Sequence, residues 1–80
     1  MTQEYWTILK LPCTDGQQRV GMDEDVNQYD EQHVLKNKLT FEQADNSIKE
    51  IAEKNQLEIF DDLNGSYDVD WSKVKGRSQL

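Results

Sequence analysis

Three groups of residues in this chain carry side chains of a kind that can do chemistry, and each implies a different kind. Cys13 follows Pro12, and His33 lies 20 residues further on. A thiol and an imidazole can form a nucleophile–base pair, but the pair needs an oriented base, an oxyanion donor and a pocket. No motif supplies these parts, so Cys13 reads as a structural cysteine, His33 as a surface histidine rather than a metal ligand, and no enzyme activity is expected. Asp61-Asp62-Leu63-Asn64-Gly65 superficially resembles a calcium loop. With Gly65 at the invariant glycine, however, Phe60 and Trp71 fall where the first and last carboxylate ligands are required. Gly16, Gly21, Gly65 and Gly76 are scattered rather than grouped into a phosphate loop. No metal and no cofactor is expected.

The third group is the informative one. Trp6, Ile8 and Phe60 are apolar residues interleaved with Asp23, Asp25, Glu58, Asp62, Asp68 and Asp70 on the strands read below. Aromatic side chains can stack on nucleic-acid bases, but carboxylate neighbours repel the phosphates. The same mixture suits a protein surface rich in Arg and Lys, where aromatic anchors bury area and charges speed association. The whole-chain balance points the same way: 16 acidic against 9 basic residues give a net charge of −7. Direct nucleic-acid binding through counterion release needs the opposite sign. A negative balance also keeps small proteins soluble, so charge alone does not define a surface.

The elements that must position these residues follow from pattern. At 80 residues with 35% hydrophobic content, the chain has room for one domain and one thin core. It lacks an apolar run long enough to span a bilayer and a basic-then-apolar leader, so a cytoplasmic protein is expected. A single cysteine forms no internal disulfide. Thr40 and Gln43 form a T-x-x-Q capping box, and Leu39 with Ala44 can staple the entry. Phe41, Ala44, Ile48, Ile51 and Ala52 then recur on one helical face, which predicts an amphipathic helix over 41–54 with Asn55 as a left-handed terminator.

Two hairpins flank this helix. The strand-like run from Tyr5 to Leu11 and a type I′ turn at Asp15-Gly16 pair Leu11 with Val20, Leu9 with Met22 and Tyr5 with Val26. After the helix, a three-residue Leu63-Asn64-Gly65 loop with Gly65 in the left-handed bulge position pairs Leu57 with Trp71, Ile59 with Val69 and Asp61 with Tyr67. That register keeps one clean apolar face, as register selection requires. Residues 27–38 read as a loop and then a short strand at about 33–38.

The predicted architecture is α+β, in the order β-β-(β)-α-β-β: an antiparallel sheet of four to five strands from two hairpins, with one amphipathic helix on one face. Residues 1–72 form the single domain and 73–80 a frayed basic tail. One sheet face stays open. There Trp6, Ile8, Asp23, Asp25, Glu58, Phe60, Asp62, Asp68 and Asp70 form the expected partner-binding surface of a small regulatory or inhibitory module for a basic protein, with no membrane contact. The alternative is a structural homodimer that buries Trp6 and Ile8 between two open faces. An acidic face could also imitate nucleic-acid phosphates.

Overall fold

A computed structural model of the chain describes residues 4–25 and 28–76. The elements run β1 (Trp6–Pro12), β2 (Gln18–Glu24), β3 (Val34–Leu39), α1 (Phe41–Lys54) and β4 (Glu58–Ile59), followed by a single 3-10 turn at Trp71–Lys73. Sheet order is β3-β1-β2-β4. β1 is antiparallel to both β2 and β3, whereas β4 lies parallel to β2. The class is α+β as the sequence implies, but the four-stranded sheet is mixed rather than antiparallel. Among the described residues no helix is long and apolar enough to cross a membrane.

α1 forms where the pattern places it. Thr40 Oγ1 accepts from the Gln43 amide at 3.1 Å, and the Thr40 amide donates to Gln43 Oε1 at 3.0 Å, completing the capping box. Ala44 and Ala52 pack with Ile48, Ile51 and Leu57 onto Ile8, Val20 and Leu39 of the sheet. The helix ends differently from expectation. Asn55 keeps a right-handed backbone and its side-chain amide donates to the Ile51 carbonyl at 2.7 Å. Gln56, with φ of 58°, makes the left-handed turn instead.

The first hairpin forms one residue out of the predicted register. Leu11 faces Arg19, Leu9 faces Gly21 and Ile8 faces Met22. The Tyr5–Val26 pairing lies outside the described residues. The cause is the loop. A type I′ turn requires left-handed backbone at both central residues, and Asp15 is not left-handed, while Gly16 is, at φ of 88°. The loop is therefore Thr14-Asp15-Gly16, closed by Gly16 N–H to Cys13 C=O at 3.0 Å and Cys13 N–H to Gln17 C=O at 2.8 Å. This is the turn-plus-bulge form that the sequence reading assigns to the other hairpin. The shift places Ile8 with Met22 on the helix side and Leu9 and Leu11 on the opposite side.

The second hairpin is absent. Glu58 and Ile59 add to the outer edge of β2, and Phe60 N–H donates to Val20 C=O at 2.7 Å. The chain from 61 onwards then forms a strap over the face away from the helix. Val69 bridges Cys13, Thr14 N–H donates to Asp68 C=O at 2.8 Å, and Asp70 N–H donates to Pro12 C=O at 2.8 Å. Gly65 is not left-handed, because the 61–66 loop is built from side-chain caps. In it Asp61 Oδ1 accepts from Leu63 N–H and Asn64 Oδ1 accepts from Ser66 N–H. The physical reason for the strap is the apolar surface of Leu9 and Leu11. Both are buried, under Val69, Phe60, Val74, Tyr29 and Val34. Neither sheet face is open.

Residues 73–76, expected to fray, are part of this strap. Asp30 N–H donates to Lys75 C=O at 3.1 Å, and Lys75 N–H donates to Nε2 of His33 at 3.0 Å. The remainder of the predicted tail, 77–80, lies outside the described residues.

Candidate functional site

The nine residues assigned to an open face separate into three groups. Ile8 has no exposed surface and lies under α1, and Trp6 is half-buried on the same side, its ring edge-on to Phe41 at 5.1 Å. Neither lines a free sheet face, and Ile8 has no surface with which to meet a partner. Four carboxylates hold backbone or side chains in place. Asp25 accepts from the Thr7 hydroxyl, and Glu58 meets Arg19 Nε at 3.4 Å. Asp68 Oδ1 accepts from Val69 N–H at 2.7 Å, and Asp70 caps the 3-10 turn through Ser72 N–H while meeting Lys73 Nζ at 3.8 Å. The third group, Asp23, Phe60 and Asp62, is brought together.

These three border two adjoining grooves beside the outer edge of β2. One, of about 300 Å³, is walled by Met22, Asp23, Tyr29, Phe60 and Trp71 over a floor that includes Gly21 and Leu11. The other, of about 410 Å³, shares Gly21, Met22 and Phe60 with the first and extends to Ile48, Ile59, Asp45 and Asp62. Among the described residues, their linings together include three carboxylates and no lysine or arginine. Two other grooves mix charges: Lys36 and Lys54 with Glu50 line one between β3 and α1, and Lys38 with Asp25 lines one beside Thr7. Trp71 is 48% exposed, so a large aromatic surface faces solvent at the groove. The Tyr29 hydroxyl donates to Asp23 Oδ2 at 2.7 Å, which holds ring and carboxylate in one wall.

The grooves exist because β4 is short. Asp25 N–H donates to Tyr5 C=O and Cys13 N–H to Gln17 C=O, which fixes the alternation of the β1–β2 ladder. That alternation turns the backbone groups of Val20, Met22 and Glu24 to the outer edge. Val20 C=O is taken by Phe60 N–H, and β4 pairs no residue of β2 beyond Val20.

A buried arginine positions the Phe60 wall. Arg19 is 5% exposed. Its guanidinium donates to both oxygens of Asp15, at 3.0 and 2.9 Å, and lies 3.6 Å from the centroid of the Tyr67 ring. Tyr67 in turn meets the Phe60 ring edge-on at 5.7 Å and accepts from Asp61 N–H. The Arg19 side-chain bonds, with a smaller contribution from Gln17 N–H, hold the Asp15 carboxyl below the ordinary carboxylate value, and Asp15 raises Arg19 further above its own. This is a planar cation held between a ring and a carboxylate.

Cys13 and His33 do not form a hydrogen-bonded pair. The Cys13 thiol is buried with its sulfur 3.8 Å from the Leu11 carbonyl. His33 is buried rather than on the surface. Since a backbone N–H can only donate, Nε2 of His33 is an acceptor for Lys75, and the proton sits on Nδ1, 3.2 Å from the Lys10 carbonyl. Both ring nitrogens are used to fasten the strap.

Sequence reasoning missed Met22, Tyr29 and Trp71 as groove residues. The predicted register pairs Met22 with Leu9, whereas Met22 lies beside Ile8 on the helix side at the sheet edge, and the predicted pairing of Trp71 with Leu57 belongs to a hairpin that does not form. Tyr29 sits in a loop with no periodicity, and no local signal brings it to Trp71. No known protein family, curated protein or solved structure matches this chain.

Proposed function

We propose that the protein is a non-enzymatic interaction module that binds a basic partner protein through the groove bounded by Met22, Asp23, Tyr29, Phe60 and Trp71. The observation that carries this reading is the combination in one place of an exposed tryptophan, further aromatic walls and carboxylates, with no cation among the described residues of the lining. Exposed aromatic side chains supply most of the energy at protein interfaces, and surrounding charge of one sign selects the partner and speeds encounter. The net charge of −7 gives the whole molecule the same preference.

The test is a backbone-amide NMR titration with an alternating Lys-Arg hexapeptide, at low and high salt. The expected result is saturable shifts at Met22, Asp23, Phe60 and Trp71, weakening as salt rises. Shifts distributed over all the acidic residues, without these four, would overturn the reading. A mass that doubles with protein concentration while Trp71 becomes protected would assign the groove to a homodimer instead.

A further inference from the structure

We infer that an extended segment of the basic partner adds as a further strand to the outer edge of β2 at Met22, sending alternate side chains into the two grooves. The inference rests on the basic-partner reading and deepens it from a surface to a mode of backbone pairing. Three observations carry it.

The first is the edge itself. The β1–β2 ladder turns both backbone groups of Met22 away from β1. The chain after β4 leaves β2 once Phe60 N–H has met Val20 C=O, and no described group is hydrogen-bonded to the Met22 N–H or C=O. Further along, the Glu24 N–H is already taken by Asp23 Oδ1 at 2.8 Å. The opening is therefore short and centred on Met22.

The second is the contrast with the other edge of the sheet, formed by β3. The register of β3 with β1 shifts twice, Lys38 has a left-handed backbone at φ of 58°, and Lys36 and Lys38 are exposed along the strand. Bulges and lysines are the means by which sheet edges resist an added strand. β2 keeps an unbroken register with β1 and carries no lysine. One edge is guarded against pairing and the other is not.

The third is the placement of the grooves. The larger reaches Ile48 on the helix side of the β2 edge, the smaller reaches Leu11 and Val69 on the strap side, and Gly21 and Met22 line both. Successive side chains of a strand point to opposite faces, so neighbouring residues of an added strand enter the two grooves in turn. In the larger groove the stem of a long basic side chain can lie along Ile48 and the partly exposed Ile59, with its charge towards the exposed Asp45 and Asp62. The sign of those carboxylates is what selects a basic segment.

The experiment titrates the full chain with the alternating Lys-Arg hexapeptide and with the same peptide N-methylated along its backbone, equal in charge and in side chains. Binding is followed through the backbone amide signals, and pairing through hydrogen exchange of the Met22 amide. The unmodified peptide should slow exchange at Met22 and leave Leu35 and Asn37 of β3 unchanged. The methylated peptide should bind about 10-fold or more weakly, without protecting Met22. Ile59→Lys adds a cation to the larger groove and should weaken the unmodified peptide about 5-fold, with the α1 amide signals reporting that the fold is kept. Equal affinity for the two peptides, with groove shifts retained, would overturn strand addition while leaving the basic-partner reading in place. Absence of groove shifts with both peptides would overturn the two together. Met22 protection that rises with protein concentration alone would give the edge to a second copy of the chain and overturn the peptide assignment.

Discussion

The two faces of the sheet are covered by different means. On one, a regular helix lays Ala44, Ile48, Ile51 and Ala52 over Ile8, Val20 and Leu39. On the other, an irregular strap holds Val69, Phe60 and Val74 over Leu9 and Leu11. α1 satisfies its backbone groups internally and needs only its ends capped. The strap has no internal ladder beyond single turns such as Lys73 N–H to Asp70 C=O, and the bonds that fasten it go to Pro12, Thr14, Asp30 and the ring of His33, all distant in sequence. A helix can cover a face from local information. An irregular cover depends on the partners it finds, and where it does not fit closely it leaves grooves, which is where the candidate site lies.

The most severe test of this comparison is a matched truncation on each face. Ile8 and Leu9 are both fully buried neighbours on opposite sides of β1. Ile8→Ala and Leu9→Ala should each lower unfolding stability in urea by about 2–5 kcal/mol if strap and helix pack equally well. A Leu9→Ala loss below about 1 kcal/mol would mean that the strap covers without close packing.

Smaller effects separate the fastenings. Thr40→Ala removes the α1 cap and should cost about 1 kcal/mol. Gly76→Ala attacks the strap instead: Gly76 is left-handed at φ of 76°, and a Cβ there would collide with the backbone of Asp30. Hydrogen exchange at Lys75 and Asp30 should rise while the α1 amides stay protected. Uniform acceleration would show that strap and helix unfold as one unit.

The Arg19 cluster gives an acid signature. A carboxyl whose folded pKa is lowered contributes stability above its ordinary value, near 3.8 for Asp15, and loses it as pH falls through the lower folded value. Asp15→Asn should therefore lower stability at neutral pH and flatten the acid limb below about pH 4, measured by urea midpoints across pH. The smallest change belongs to the strap's outer loop. Leu63 is 91% exposed, and Leu63→Ser should alter stability by no more than about 0.5 kcal/mol.

The legible parts of the molecule are those with local causes. The 41–54 helix and its capping box follow from residues within one or two turns of each other. β3 was readable to within one residue, at Val34–Leu39. The first hairpin was legible as a hairpin, but its register turned on whether Asp15 would accept a left-handed backbone, and neither the Asp-Gly dipeptide nor the alternation decides that. Of the candidate site, the sequence marks Phe60 as an aromatic among carboxylates and Asp23 as one of the acids beside it, but the open sheet face expected to carry them is covered. Trp71 and Tyr29 carried no such signal.

By itself, then, the sequence determined the class, the helix, the acidic balance and the excess of apolar residues over what one helix can cover. Tertiary structure alone decided that the Asn64-Gly65 turn would not close a hairpin. A hairpin there would have satisfied a few backbone bonds locally and left Leu9 and Leu11 in water. The strap forms comparable bonds with Pro12, Thr14 and His33 and buries that face as well. Burial of apolar area is the larger and non-local term, and it is invisible to any reading that compares only neighbouring residues.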